Sequence, residues 1–143
     1  MIKYLHSVWA GFVLIVLVFT IIQHLTGVLK GRMYNLRTDF RMALFAAIIY
    51  GFQIILGLLA WFTSDYFTGI RDGHFGEYMK NAHSRLLVLE HPFMGLLGLL
   101  LVLYGLRRSY FQVDPRRKFL SIVWLYGLAL LLILLRIPWS DWL

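Results

Sequence analysis

The stretch RLLVLEHPFMGLLGLLLVLYGL, from Arg85 to Leu106, is apolar and long enough to cross a lipid bilayer as one helix. A spanning helix needs roughly 20 apolar residues, because each residue advances about 1.5 Å through a hydrocarbon layer about 30 Å thick. The stretch nevertheless contains Glu90 and His91 side by side, followed at once by Pro92. Ionisable residues are costly inside a bilayer, so they are candidate functional positions.

The composition of the whole 143-residue chain is that of a membrane protein, with 60% hydrophobic and only 15% charged residues. We predict a single all-α integral membrane domain over residues 1–143, folded as a four-helix bundle. The first helix has no small-residue cleavage site and is long enough to span, which argues against a secretory signal; it can also begin near Tyr4. The predicted spans are Val8 to Leu29, Met42 to Phe62, Leu86 to Leu106 and Phe119 to Trp139.

The basic residues predict how these helices are oriented. Nine of the fourteen lysines and arginines fall in two short loops: Lys30, Arg32, Arg37, Arg41, Arg107, Arg108, Arg116, Arg117 and Lys118. Short basic loops stay in the cytoplasm, so we expect both chain ends outside a bacterial cytoplasmic membrane. The net charge of +7 follows from this topology and does not indicate nucleic-acid binding.

Several classes of function lack support in the sequence. The chain has no cysteine, hence no disulfide, iron–sulfur cluster or c-type haem attachment. It has no phosphate-binding glycine loop, nucleophile elbow or zinc-protease signature, so we expect no independent catalytic activity. The long connection from Ser64 to Arg85 is broken by Gly69, Gly73 and Gly76, which predicts a loop with a short interfacial helix.

Two histidines in the apolar helices are candidate ligands. His91 lies sixteen residues before Arg107, and His6 lies twenty-four residues before Lys30. Both therefore belong in the outer half of the bilayer, although their depths counted this way differ by about 12 Å. His24 alone lies near the inner face, where no other helix offers a histidine. A haem held by two histidines near the inner face, in addition to one in the outer half, is therefore disfavoured.

Helical spacing places these histidines beside small residues. One stripe of the first helix contains His6, Ala10, Val13, Leu17, Thr20 and His24, and we expect it to face the bundle. His91 shares a face with Gly95 and Gly98, and Gln53 shares one with Gly57 and Trp61. Such glycines either leave room for a flat cofactor or permit close helix packing.

A haem b suits a site of this kind, with His6 and His91 as the axial ligands to its iron. Pro92 lacks an amide hydrogen, so it frees a carbonyl near Val88 and can bend the helix where His91 must be aimed. Three roles are open for Glu90: a neutral acid, an ion pair with Arg85 or Arg136, or a proton carrier to a quinone.

Four segments together resemble small bacterial four-helix membrane proteins labelled cytochrome b. They are YLHS at residues 4–7, FQIILGLLAWFTS at 52–64, SRLLVLEHPFMGLLGLLLVLYG at 84–105 and LLRIPW at 134–139. The resemblance covers nearly the whole chain and implies the four-helix fold and a haem-linked electron-transfer role. By this likeness the functional positions are His6, Gln53, Arg85, Glu90, His91 and Pro138. Some family members have a histidine near the position of Gly51.

The leading hypothesis is a membrane electron-transfer protein with one haem b, or a quinone-proximal site, in the outer half of the bilayer. The alternative is a non-catalytic accessory subunit that packs through Gly95 and Gly98 against a larger respiratory or transport complex. A third possibility is an outer-face metal site formed by His6, His74 and His83.

Overall fold

The computed structural model describes residues 1–142, and that range contains helices but no strand. The main helices are α1 (Ile2–Leu29), α2 (Leu36–Phe62), α3 (Asp65–Arg71), α4 (Phe75–Lys80), α5 (Ala82–Phe111) and α6 (Pro115–Arg136). Of these, α1, α2, α5 and α6 are long and apolar enough to cross a membrane. Within residues 1–142 the prediction of an all-α fold is confirmed, and the four helices are long and apolar enough for a multi-pass membrane protein.

The helix bounds differ from the apolar windows in the sequence. Helix α1 begins at Ile2, α5 extends the third window at both ends, and α6 ends at Arg136 instead of Trp139. Helices extend beyond the windows because their polar ends can lie outside the hydrocarbon layer. Helix α6 stops early because Ile137 is extended, with φ −67° and ψ 129°, as is favoured for a residue before proline. Within the described residues a short 3-10 turn follows, Trp139–Asp141.

The four long helices form a bundle in which α1 and α5 each pack against both α2 and α6. Val13, Leu17, Thr20 and His24 of α1 are at most 2% exposed, so the predicted bundle-facing stripe is confirmed. The beginnings of α1 and α5 meet the ends of α2 and α6 at one end of the bundle. We call this the histidine end, and the opposite end, with Arg32 and Lys118, the basic end.

Hydrogen bonds from aromatic side chains to backbone carbonyls join the helices. Tyr126 Oη donates to Ala43 O over 2.8 Å, and Tyr50 Oη donates to Gly95 O over 2.7 Å. Trp9 Nε1 donates to Ile49 O and Trp61 Nε1 to Val88 O, both over 3.2 Å. Hydrophobic burial does not drive association between helices in lipid, so packing and polar contacts of this kind set their arrangement.

The connection between α2 and α5 is more helical than the sequence predicts. It contains α3 and α4, and α5 begins at Ala82. Gly73 separates the two short helices with φ 96°, a left-handed conformation that glycine adopts without steric cost. Ser64 and Asn81 begin α3 and α5 by accepting hydrogen bonds from Phe67 N and Ser84 N. This segment lies at the histidine end.

Candidate site at the histidine end

A pocket of about 730 Å³ opens between the four long helices at the histidine end. Its volume lies within the range of roughly 300–1,000 Å³ that small-molecule and cofactor sites occupy. Most of its wall is apolar, and residues of α3 and of the segment after α6 line its mouth at this end of the bundle. The polar groups that reach its wall include His6, Tyr50, Gln53, His91 and Arg136.

His6 and His91 face each other in this pocket. Their ring centroids are 6.1 Å apart, and the two ring planes are nearly perpendicular, at 85°. The depth difference inferred by counting from the basic loops is therefore wrong. Helix α5 continues past Arg107 to Phe111, so counting from the helix ends reduces the offset of eight residues to three, about 4.5 Å along the helix axis.

The His91 ring is oriented by the end of α6. Its Nδ1 lies 2.9 Å from the carbonyl oxygen of Arg136. Arg136 is the last residue of α6, so this carbonyl has no partner within the helix and accepts the ring N–H. With Nδ1 protonated, Nε2 carries a free lone pair. A histidine that ligates a metal commonly donates its other ring N–H to a carbonyl in this way.

The His6 ring is held by Gln53 of α2. The Gln53 amide Nε2 lies 3.0 Å from His6 Nδ1 and 3.1 Å from the His6 carbonyl oxygen. The Gln53 side chain is buried, and its Oε1 has no hydrogen-bond partner in the protein. In this arrangement the amide donates to both His6 atoms, which leaves His6 Nε2 as the protonated ring nitrogen.

Glycines make room for the His6 ring and for Tyr50. A Cβ at Gly57 would lie 2.9 Å from His6 Cε1, and one at Gly98 would lie 2.5 Å from Tyr50 Oη. Gly95 lines the pocket, and its carbonyl accepts the Tyr50 hydroxyl. Gly98 thus packs against Tyr50 of the same chain and Gly95 lines the internal pocket, and association with a second subunit stays a prediction.

Glu90 pairs with both of the arginines that the sequence offered. Its Oε1 lies 2.8 Å from Arg85 Nε, and its Oε2 lies 3.4 Å from Arg136 Nε. Two guanidinium groups therefore contact the one carboxylate of Glu90. The site residues His91, Glu90, Arg85 and Arg136 are thus linked through α5 and α6, and the cluster carries a net positive charge.

Pro92 removes one backbone donor from α5, as expected from sequence. In a regular α-helix the amide of residue 92 would bond to Val88 O, but proline has no amide hydrogen. The Val88 carbonyl accepts the Trp61 indole N–H instead. The helix also widens to a π-turn over Leu86–Glu90, immediately before His91.

Asp39 at the basic end is a buried acidic residue that the sequence did not single out. It has no exposed surface, yet it accepts two hydrogen bonds of 2.7 Å from Arg32 and one of 2.8 Å from Asn35 N. The hydrogen bond to Asp39 raises the pKa of Arg32. The signal was an acidic residue within a basic loop, in a segment that Asn35 begins as a helix cap.

The remaining histidines lie outside the pocket. His24 is fully buried at the basic end, with Nδ1 2.7 Å from Thr20 O. His83 Nε2 lies 3.3 Å from Asp141 Oδ2. Within residues 1–142 no three His, Cys, Asp or Glu side chains are grouped to hold a metal ion. The structure therefore does not assemble the metal site predicted from His6, His74 and His83.

The pocket has two chemical capacities. Its imidazoles can act as axial ligands to one metal ion, or they can donate and accept hydrogen bonds with a carbonyl or hydroxyl group. Comparison of the chain with sequence models of protein families, with curated proteins and with solved structures gave no match. The assignment of function therefore rests on the geometry of the site.

Proposed function

We propose that this chain is a small membrane electron-transfer protein of the cytochrome b type, which binds one haem b between His6 and His91. The observation that carries the proposal is the pair of imidazoles 6.1 Å apart across an apolar pocket. The proposal is also supported by the Arg136 backbone carbonyl, which already orients the His91 ring.

The residues fit haem b in spacing, volume and polarity. Two imidazoles that share a metal ion have ring centroids about 6 Å apart, because each metal–nitrogen bond is about 2 Å long. His91 needs no change to present Nε2. His6 needs a half-turn of the Gln53 amide, after which Oε1 accepts the Nδ1 hydrogen; the bond from Gln53 Nε2 to the His6 carbonyl is given up.

Haem supplies reversible one-electron chemistry when bound. The protein's own part is to orient the ring through the Arg136 carbonyl, to exclude water with apolar walls, and to place charge at the mouth. The Glu90, Arg85 and Arg136 cluster is positive overall and favours an anionic group there. Gly57 leaves the space that the His6 ring occupies.

The test of this proposal is the absorption spectrum of the protein purified from haem-replete cells. We expect about one haem b for each chain, with the low-spin spectrum of two axial imidazoles in both oxidation states. His6→Ala should convert it to a high-spin, five-coordinate spectrum, because one axial ligand is lost. Protein without stoichiometric haem would refute the proposal.

A quinone is the second candidate ligand, and the hydrogen bonding between Gln53 and His6 favours it. In the arrangement present, His6 Nε2 is a donor, whereas His91 Nε2 and the unpartnered Gln53 Oε1 are acceptors. Such a set can bind both the carbonyl of a quinone and the hydroxyl of a quinol. Protein that lacks haem but retains a quinone, and loses it on His6→Ala, would support this candidate.

The membrane orientation is a further part of the proposal. We propose a bacterial cytoplasmic membrane with both termini and the histidine end on the outside, because nine basic residues lie in the two opposite loops. Tags at either terminus should react with membrane-impermeant reagents on intact cells. A tag between α5 and α6 is the control and should stay protected; protected termini would reverse the orientation.

A further inference from the structure

We infer that Trp61 is a positioning residue for the proposed ligand His91, and that it acts by completing the hydrogen bonding of α5 where Pro92 interrupts it. The inference rests on the proposed function, in which His91 binds the cofactor. Trp61 lies on α2, and its Nε1 donates to Val88 O over 3.2 Å.

The first step concerns the backbone of α5. Proline at position 92 removes the donor that Val88 O would have in a regular helix. A buried carbonyl without a partner is costly inside a bilayer, where no water replaces the lost donor. Val88 is 4% exposed, and the Trp61 indole donates a hydrogen bond to this buried carbonyl.

The second step concerns the direction of the His91 side chain. The π-turn over Leu86–Glu90 ends with the His91 amide bonded to Leu86 O. A π-turn adds one residue to a helix and so changes which side chains face the bundle. The Trp61 bond lies within this turn and ties it to α2. The rotation of α5 that aims His91 at the Arg136 carbonyl is therefore held from the neighbouring helix α2.

The third step concerns how Trp61 itself is held. Its ring packs against Phe62 and Phe67, with centroids 5.2 and 5.1 Å away. Phe67 belongs to α3, whose first turn is capped by Ser64. Helix α3 therefore contacts the Trp61 indole through Phe67, and the indole in turn donates its hydrogen bond to α5.

The experiment compares Trp61→Phe with Trp9→Phe. Trp9 makes the same type of bond, from Nε1 to Ile49 O over 3.2 Å, but it lies away from Pro92 and is the matched control. The first readout is histidine ¹⁵N NMR of the protein without haem, with the His91 signal assigned by its absence in His91→Ala. The second is the spin state of the haem-loaded protein.

In Trp9→Phe and in the unmodified protein, His91 should keep one tautomer, with Nδ1 protonated. In Trp61→Phe we expect the two tautomers to mix, because the loss of one hydrogen bond favours displaced states by about tenfold. The same variant should show a larger high-spin fraction when loaded with haem. An unchanged His91 tautomer in Trp61→Phe would refute the inference, whether or not the protein binds haem.

A mixed tautomer with an unchanged haem spectrum would also refute it, since Trp61 would then stabilise the turn without positioning the ligand. If Trp61→Phe does not fold, benzothienylalanine at position 61 replaces it. Sulfur takes the place of the indole N–H in this analogue, so the ring volume is kept and only the donor is lost. Absence of haem in the unmodified protein refutes the proposed function alone, because the NMR readout does not depend on haem.

Discussion

His91→Ala should abolish the reduced-haem spectrum of the purified protein. His91 is the imidazole that the structure already presents with a free Nε2, because its Nδ1 is bonded to the Arg136 carbonyl. No other histidine within residues 1–142 lies opposite His6. The variant should still insert, since removing a polar group from an apolar helix favours insertion. Spectra are read on equal amounts of membrane-extracted protein.

The controls for this variant are His24→Ala and His74→Ala. His24 is buried at the basic end and His74 is exposed, so both variants should retain the full haem spectrum. Normal haem in His91→Ala would show that the ligand lies elsewhere. Loss of haem in all three variants would show that the effect comes from disturbed folding instead of lost coordination.

Asp39→Ala should destabilise the bundle more than removal of any exposed acid. Breaking a buried ion pair by removing one partner costs roughly 3–5 kcal/mol, and the partial exposure of Arg32, 36% for its side chain, places the expected loss near the lower end. The Asn35 amide and the Gln23 side chain also lose their acceptor. Thermal or denaturant unfolding in a mild detergent measures the loss.

Asp72→Ala is the matched control for this change. Asp72 is also an aspartate beside an arginine, but its 3.9 Å pair with Arg71 is exposed on both sides. An exposed pair of this kind contributes about 0–1 kcal/mol. Equal stability of the Asp39→Ala and Asp72→Ala proteins would contradict the structural role of Asp39.

The two acidic residues held inside the bundle occupy comparable places. Asp39 lies in a π-turn, Leu36–Phe40, at the start of α2, and Glu90 lies in the π-turn Leu86–Glu90 of α5. Each is paired with arginine. The Asp39 side chain is fully buried, whereas the Glu90 side chain is partly exposed. The full burial of Asp39 fits a structural role for this residue.

The sequence by itself determined the membrane character and the number of spans, because a bilayer of constant thickness demands apolar runs of a minimum length. It also determined the bundle-facing stripe from His6 to His24, since helical periodicity places those positions on one side. The loss of a backbone donor at position 92 likewise followed from covalent chemistry alone, because proline has no amide hydrogen.

Only the tertiary structure decided which groups meet. Apolar residues that face lipid and those that face the bundle have the same hydropathy, so composition does not show how the helices are rotated. The partners of His91 and Trp61 are backbone carbonyls, which every residue carries and no sequence pattern marks. The placement of His6 opposite His91 depended on where α1 and α5 end. A search for apolar windows does not find the polar ends of helices, because it follows only apolar residues.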